Sequence, residues 1–358
     1  MPEMPYLIAE AGVNHNGDPG RALEMVDAAA EAGADAVKFQ TFDPAALVTA
    51  TAPQADYQVR NLGDTGGQLA MLQRLALPRE DHFRLAERCA ARGIDFLSSP
   101  FDLDSARFLA DEMGLRRLKL GSGELTNAPL LLTIAQAGCD LILSTGMSDL
   151  EEVRQALGVL AFGYLAPDRA PGRADFAETL EEDAAWAALR QRVTLLHCTT
   201  EYPCPIDQVN LRAMDSLREA FALAVGYSDH TEGIEVSLLA AARGAQVIEK
   251  HFTLDRGLPG PDHAASLEPD ELKALADGLR RVATVLGSPQ KCLTPVEEGN
   301  RSVARKSLVA LRPIRAGEPF TEENLGAKRP AGGRSPFDYW ALLGTPAPRD
   351  YAADEAIE

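Results

Sequence analysis

Tyr6-Leu-Ile-Ala-Glu10 is a short apolar run that ends in a carboxylate, and runs of the same kind recur along the chain. They are Ala36-Val-Lys-Phe-Gln40, Asp95-Phe-Leu-Ser-Ser99, Leu118-Lys-Leu-Gly121, Leu141-Ile-Leu-Ser144, Thr194-Leu-Leu-His197, Ala224-Val-Gly-Tyr227 and Val247-Ile-Glu-Lys-His251. Strands buried on both faces of a parallel sheet read this way, and helical stretches between them supply the crossovers. Arg21 to Ala32 is Ala-rich and stops at Gly33, which suits a left-handed cap. Asp149-Leu-Glu-Glu152 places carboxylates at a helix start, and stretches from Thr231 and Glu268 stop at Gly244 and Gly287. Eight alternating strand–helix units predict an α/β fold, a (β/α)8 barrel. An open doubly wound sheet is the alternative, but no Gly-rich dinucleotide fingerprint follows the first run.

The 358 residues exceed the roughly 250 of one such barrel. The expected organisation is a barrel over 1–287, a linker over 288–300 and a small β-rich domain over 301–358. Gly163 to Ala174, rich in Gly, Pro and Ala, is expected to lengthen the connection between the fifth and sixth strands. The net charge of -18 argues against nonspecific nucleic-acid binding, which needs basic surface. Neither a signal peptide nor an apolar run of about 20 residues is visible, so no membrane partner is expected. Five cysteines without paired spacing fit reduced thiols in a cytoplasmic protein.

In a barrel, chemistry sits at the C-terminal ends of the strands. Those ends carry Glu10, Lys38, Gln40, Ser98, Ser99, Lys119, Ser122, Glu124, Ser144 and Thr145. The later strands add His197, Thr199, Thr200, Ser228, Asp229, His230, Glu249, Lys250 and His251. Ser98, Thr145 and Thr199 have helix capping as an alternative role, and a lone histidine is more often structural than a ligand. His230 and His251, from neighbouring strands, can converge on one divalent ion whose other positions go to water or substrate. Lys38 and Lys119 call for an anionic partner, either a phosphate or carboxylate ligand or an internal pair with Glu10 or Glu124. Gly121-Ser-Gly-Glu124 and Ser144-Thr-Gly146 leave backbone N–H groups open to phosphate oxygens.

Several of these motifs have the order and spacing of a known family. Ala9-Glu-Ala-Gly-Val-Asn-His-Asn-Gly17, Val37-Lys-Phe-Gln-Thr41, Lys119-Leu-Gly-Ser-Gly-Glu124 and Leu143-Ser-Thr-Gly-Met147 resemble the N-acetylneuraminate (sialic acid) synthases. So do Leu196-His-Cys-Thr-Thr-Glu-Tyr-Pro203, Tyr227-Ser-Asp-His-Thr231, Ile248-Glu-Lys-His-Phe252 and Pro259-Gly-Pro-Asp262, and the tail resembles the family's antifreeze-like (SAF) domain. Thr199-Thr-Glu-Tyr202 is also similar to legionaminate-type synthases, while Ser99 stands where several relatives carry Thr.

The resemblance implies an enzyme that condenses phosphoenolpyruvate with N-acetylmannosamine or a 2,4-diacetamido-trideoxy hexose, plus water, giving a nine-carbon sialic acid and phosphate. It implies a divalent metal, Mn²⁺ with Mg²⁺ or Co²⁺ as alternatives, on His230 and His251. Catalytic roles fall to Glu10, Lys38, Lys119 and Glu124. Substrate contacts fall to Gln40, Ser99, Ser122, Ser144, Thr200, Tyr202, Ser228, Asp262 and Arg329. It further implies a domain-swapped homodimer, in which Arg329 reaches the partner's barrel. The rival readings are an aldose-phosphate synthase of a related barrel family and a non-catalytic sugar-binding barrel.

Overall fold

The structure, a computed structural model, describes residues 4–55, 58, 59, 61 and 67–358. Its residues divide into two compact units, Met1–Gly287 and Ser288–Glu358. In the first, eight strands run parallel: β1 Tyr6–Gly12, β2 Ala36–Thr41, β3 Asp95–Pro100, β4 Arg117–Leu120, β5 Asp140–Ser144, β6 Val193–His197, β7 Ala224–Asp229 and β8 Val247–His251. Their hydrogen-bonded order is β3-β2-β1-β8-β7-β6-β5-β4, and β3 and β4 lie side by side to bring the sheet round into a nearly closed barrel.

The crossovers follow the helix signals. Pro19–Ala32 starts on the Asp18 side chain and ends at Gly33, whose φ of 85° is left-handed, so a residue with a Cβ would be strained there. Leu150–Leu165 begins with a capping box in which Asp149 and Glu152 satisfy each other's backbone N–H groups. The long connection from β5 to β6 is helical in three pieces, the second and third being Arg173–Thr179 and Asp183–Arg192. No helix among the described residues is long and apolar enough to cross a membrane.

Alternation along each strand divides the barrel into two environments. Outward residues such as Leu7, Ala9, Val37, Phe39, Leu118, Leu143, Leu195 and Ile248 pack on the helices as the main core. Inward, Ile8, Ala36, Leu97, Ile142, Leu196 and Val247 form an apolar floor. At Gly226 an added Cβ would sit 2.4 Å from the Val247 carbonyl oxygen and 2.7 Å from Leu196, so this floor position admits only hydrogen.

The second unit has a core of its own, built from Leu308, Ala310, Ile314, Phe320, Leu325, Leu342, Ala347, Tyr351 and Ile357. Its ladder pairs β9 Ser307–Ala310 antiparallel with β10 Leu325–Lys328. Pro295–Ala304, largely within the stretch expected to be linker, is instead a helix with a Thr294–Glu297 capping box.

Candidate active site

Two residues beyond the floor, the same inward faces turn polar. Ile8 is followed by Glu10, Ala36 by Lys38, Leu97 by Ser99, Ile142 by Ser144, Leu196 by Cys198 and Val247 by Glu249. All six of these residues line one cavity of about 290 Å³ at the C-terminal mouth of the barrel. Lys119, Ser228, His230 and His251 line it too, with Gln40, Ser122, Glu124, Thr200, Tyr202 and Asp262. Every barrel residue expected at the site is therefore brought to one place. Arg329 lies in the second unit, exposed, directly after β10.

Glu249 joins the two lysines. Lys119 Nζ lies 3.0 Å from its Oε1, Lys38 Nζ 3.6 Å from its Oε2, and Ser228 Oγ donates to Oε1 at 2.8 Å. Lys38 also pairs with Glu10 at 2.7 Å and donates to Ser99 Oγ at 3.1 Å. Both lysines thus have internal carboxylate partners, although Glu124 is not one of them; its carboxylate accepts from Asn127. Glu249 is legible in the sequence as a strand-end residue but not as a site residue. Its period-2 relation to His251 was the available signal, since residues two apart share a face.

Burial and pairing set the charges. Burial would raise the Glu249 carboxyl, but Lys119 and Lys38 outweigh it and hold it well below the ordinary carboxylate range. Burial would lower Lys38, and Glu10 and Glu249 reverse this and raise it. Glu10 is itself raised by burial, with Lys38 opposing. Burial, reinforced by the Glu10 charge, pushes Asp262 up to about 7. Burial also raises Glu124.

The three histidines separate by geometry. His197 Nε2 is held by the Val209 carbonyl at 2.8 Å, which is a structural bond. The rings of His230 and His251 stand 5.6 Å apart, with Tyr202 4.2 Å from the first and 5.4 Å from the second. His230 Nδ1 lies 2.6 Å from the Thr199 carbonyl, so it carries the proton and leaves Nε2 as a lone-pair donor. His251 Nδ1 is buried with no hydrogen-bond partner among the described residues. Burial lowers His230 to about 4 and takes His251 well below its usual value, so both rings are neutral. Two neutral imidazoles and one orphaned buried nitrogen fit a divalent ion. Among the described residues no group of three or more protein ligands converges.

Opposite the imidazoles, Gly121-Ser122-Gly123 follows β4. A Cβ at either glycine would meet nothing within 4 Å among the described residues. Gly146 after β5 is tighter. Its N–H donates to Ser122 Oγ at 3.0 Å, and a Cβ would lie 2.6 Å from Thr200 Oγ1. Ser144 Oγ is buried without a partner among the described residues.

The loop after β1 braces the mouth. Asn14 Nδ2 donates to the Phe252 carbonyl and to Ser266 Oγ, both at 2.9 Å, and Asn16 Nδ2 donates to the Pro259 carbonyl. These bonds fix the loop that carries Asp262.

Known proteins agree with this architecture. The NeuB family profile matches residues 25–291 and the SAF domain profile matches 305–358. The chain is 46% identical over 351 residues to the N,N'-diacetyllegionaminic acid synthase of Campylobacter jejuni, covering 98% of both chains. It is 44% identical to the enzyme of the same name from Legionella pneumophila, over 95% of this chain and 89% of that one. The N-acetylneuraminic acid (sialic acid) synthetase of Leptospira borgpetersenii, solved with citrate, superposes with a TM-score of 0.65 at 31% identity, over 83% of this chain and 90% of that one. The chain belongs to the NeuB family and carries a SAF domain over residues 305–358.

Proposed function

We propose that this protein condenses phosphoenolpyruvate with a 2,4-diacetamido-2,4,6-trideoxy hexose and water, giving N,N'-diacetyllegionaminate and phosphate. Near full-length similarity to two diacetyllegionaminic acid synthases supports this acceptor over N-acetylmannosamine. The single observation that carries the chemistry is the buried pair of lysines, Lys38 and Lys119, bridged by Glu249 beneath the open Gly121–Gly123 backbone. A dianionic substrate entering there replaces an internal carboxylate as the lysines' partner.

Lys38 and Lys119 hold the carboxylate and phosphate of phosphoenolpyruvate, and Ser99, Ser122, Ser144 and Ser228 supply hydroxyls around it. Gln40, Glu124, Thr200, Tyr202 and Asp262 surround the acceptor. The acceptor reacts as its open-chain aldehyde. Carbon 3 of phosphoenolpyruvate bonds to the aldehyde carbon, and the new alkoxide takes up a proton. Water adds to carbon 2, and phosphate departs with the C–O bond electrons, taking up the proton that the new carbon 2 hydroxyl releases as it becomes the ketone. Glu10, raised by burial and aimed into the cavity, accepts the water's proton. A divalent ion, Mn²⁺ by preference, held by His230 and His251 would supply Lewis-acid polarisation of the aldehyde oxygen.

The working unit in this proposal is a domain-swapped homodimer, with Arg329 of one subunit hydrogen-bonding an acetamido carbonyl in the other's barrel. Five unpaired cysteines are consistent with a cytoplasmic enzyme. The test incubates the protein with phosphoenolpyruvate, Mn²⁺ and a panel of 2-acetamido and 2,4-diacetamido sugars, read by mass spectrometry. A diacetamido nonulosonic acid is expected. Phosphate release independent of any sugar would refute the reading.

A further inference from the structure

The cavity has a second face that the condensation itself does not use. Val13 follows β1, Leu47 and Val48 follow β2, Phe101 follows β3, and Met71 and Leu72 lie on the helix Gln68–Leu75. All six line the same cavity as the lysines and imidazoles. Val13, Met71 and Leu72 are buried together with Leu75, and Leu47 and Val48 pack against them. The described cavity-lining residues between 42 and 75 include no charged side chain; their polar groups are the carboxamides of Gln58 and Gln68.

Placement around the ring gives this wall its meaning. The imidazoles stand after β7 and at the end of β8, and the open glycine backbone follows β4. The wall covers β1 to β3. In the order β3-β2-β1-β8-β7, its far end lies across the mouth from His230. An acceptor whose aldehyde carbon sits by the imidazoles, against a phosphoenolpyruvate held by the lysines, must extend its chain away from both. Within the cavity's lining, Leu47, Val48, Met71 and Leu72 offer its terminal carbon an apolar surface.

We infer that this wall is a specificity element that receives the methyl end of a 6-deoxy acceptor and disfavours the same sugar with a hydroxyl at carbon 6. The inference rests on the condensation reading above. A hydroxyl pressed against Leu and Met gives up water without a matched partner, while a methyl gains apolar contact. Apolar pockets discriminate added hydroxyls modestly, by on the order of 10- to 100-fold in kcat/KM. Gln58 and Gln68, at the edge of the wall, have the same amide chemistry as the acceptor's own acetamido groups.

The experiment compares two acceptors that differ only at carbon 6, 2,4-diacetamido-2,4,6-trideoxy and 2,4-diacetamido-2,4-dideoxy hexose, in the full-length protein with Mn²⁺. The deoxy sugar should be favoured by about 10- to 100-fold in kcat/KM. Leu72→Asn should narrow that ratio, with the KM for phosphoenolpyruvate little changed. Val48→Thr is nearly isosteric at a half-buried position, so it tests the same point without disturbing the fold. Equal kcat/KM for both sugars in the wild type, or a ratio unmoved by both variants, overturns the wall while leaving the condensation in place. No product from either sugar overturns the condensation, and the wall with it.

Discussion

Lys38 serves both binding and folding, because it neutralises Glu10 and lies near Glu249, with all three side chains almost wholly buried. Lys38→Met should raise the KM for phosphoenolpyruvate and also destabilise the protein by roughly 3–5 kcal/mol, since two buried carboxylates lose a cation. Lys119→Met should raise the same KM with a smaller loss in urea unfolding, because Glu249 keeps Lys38. An effect confined to the sugar's KM would contradict both assignments. His230→Ala and His251→Ala should each abolish turnover and Mn²⁺ binding by calorimetry, with circular dichroism unchanged. Asp262 tests the electrostatics through pH. Its carboxyl is neutral in the fold up to about 7, but ionised in the unfolded chain above its ordinary value of 3.8. Between those values the folded state holds the extra proton, so rising pH favours unfolding. Asp262→Asn removes that loss and should be the more stable protein at pH 8, by at most about 4 kcal/mol, with the gain vanishing near pH 4. Equal pH dependence in both proteins would contradict the raised carboxyl. Glu249 shows where sequence reading stops at this scale. Ile248-Glu-Lys-His251 offers three polar side chains in a row; alternation pairs Glu249 with His251, and the structure puts both on the cavity.

Lys250 faces the other way and anchors an element rather than the site. Its ammonium lies 3.0 Å from Asp229, both side chains wholly buried, and Asp229 also accepts from the Thr231 backbone, Thr231 Oγ1 and Ser237 Oγ. The cluster ties β7 and β8 to the helix Glu235–Ala242. Asp229→Ala leaves a buried ammonium unpaired and should cost about 3–5 kcal/mol in urea unfolding. A loss under about 1 kcal/mol would mean that the pair contributes little. All eight strands were legible as apolar runs, because a parallel barrel buries both faces of each. Ends moved by a residue or two, as with β7, which continues to Asp229. Two elements were less legible. Pro295–Ala304 carries a capping box but also Gly299 and several charges, and it read as linker although the Thr294–Glu297 pair was present. The stretch after β2 has no strand period, so its apolar residues could not be placed over the mouth from sequence alone.

At the scale of the whole molecule, the proposal requires two chains for each active site. Arg329→Ala and His230→Ala should each be inactive alone. Mixed and allowed to exchange subunits, they should recover up to about a quarter of wild-type activity, because one barrel in each heterodimer keeps its histidine and receives an intact Arg329. No recovery despite demonstrated heterodimers would place Arg329 outside the partner's site. The barrel's layering accounts for the rest: an apolar floor, a charged layer two residues above it, and a mouth braced by Asn14 and Asn16. The central claim is that this layer joins phosphoenolpyruvate to a sugar with cleavage of the C–O bond. It is tested most directly with phosphoenolpyruvate carrying ¹⁸O in the bridging position, incubated with Mn²⁺ and the 2,4-diacetamido-trideoxy acceptor. The account predicts an unlabelled nonulosonic acid and one equivalent of ¹⁸O-labelled phosphate. Label retained in the sugar acid, or labelled phosphate with no acid formed, would contradict it.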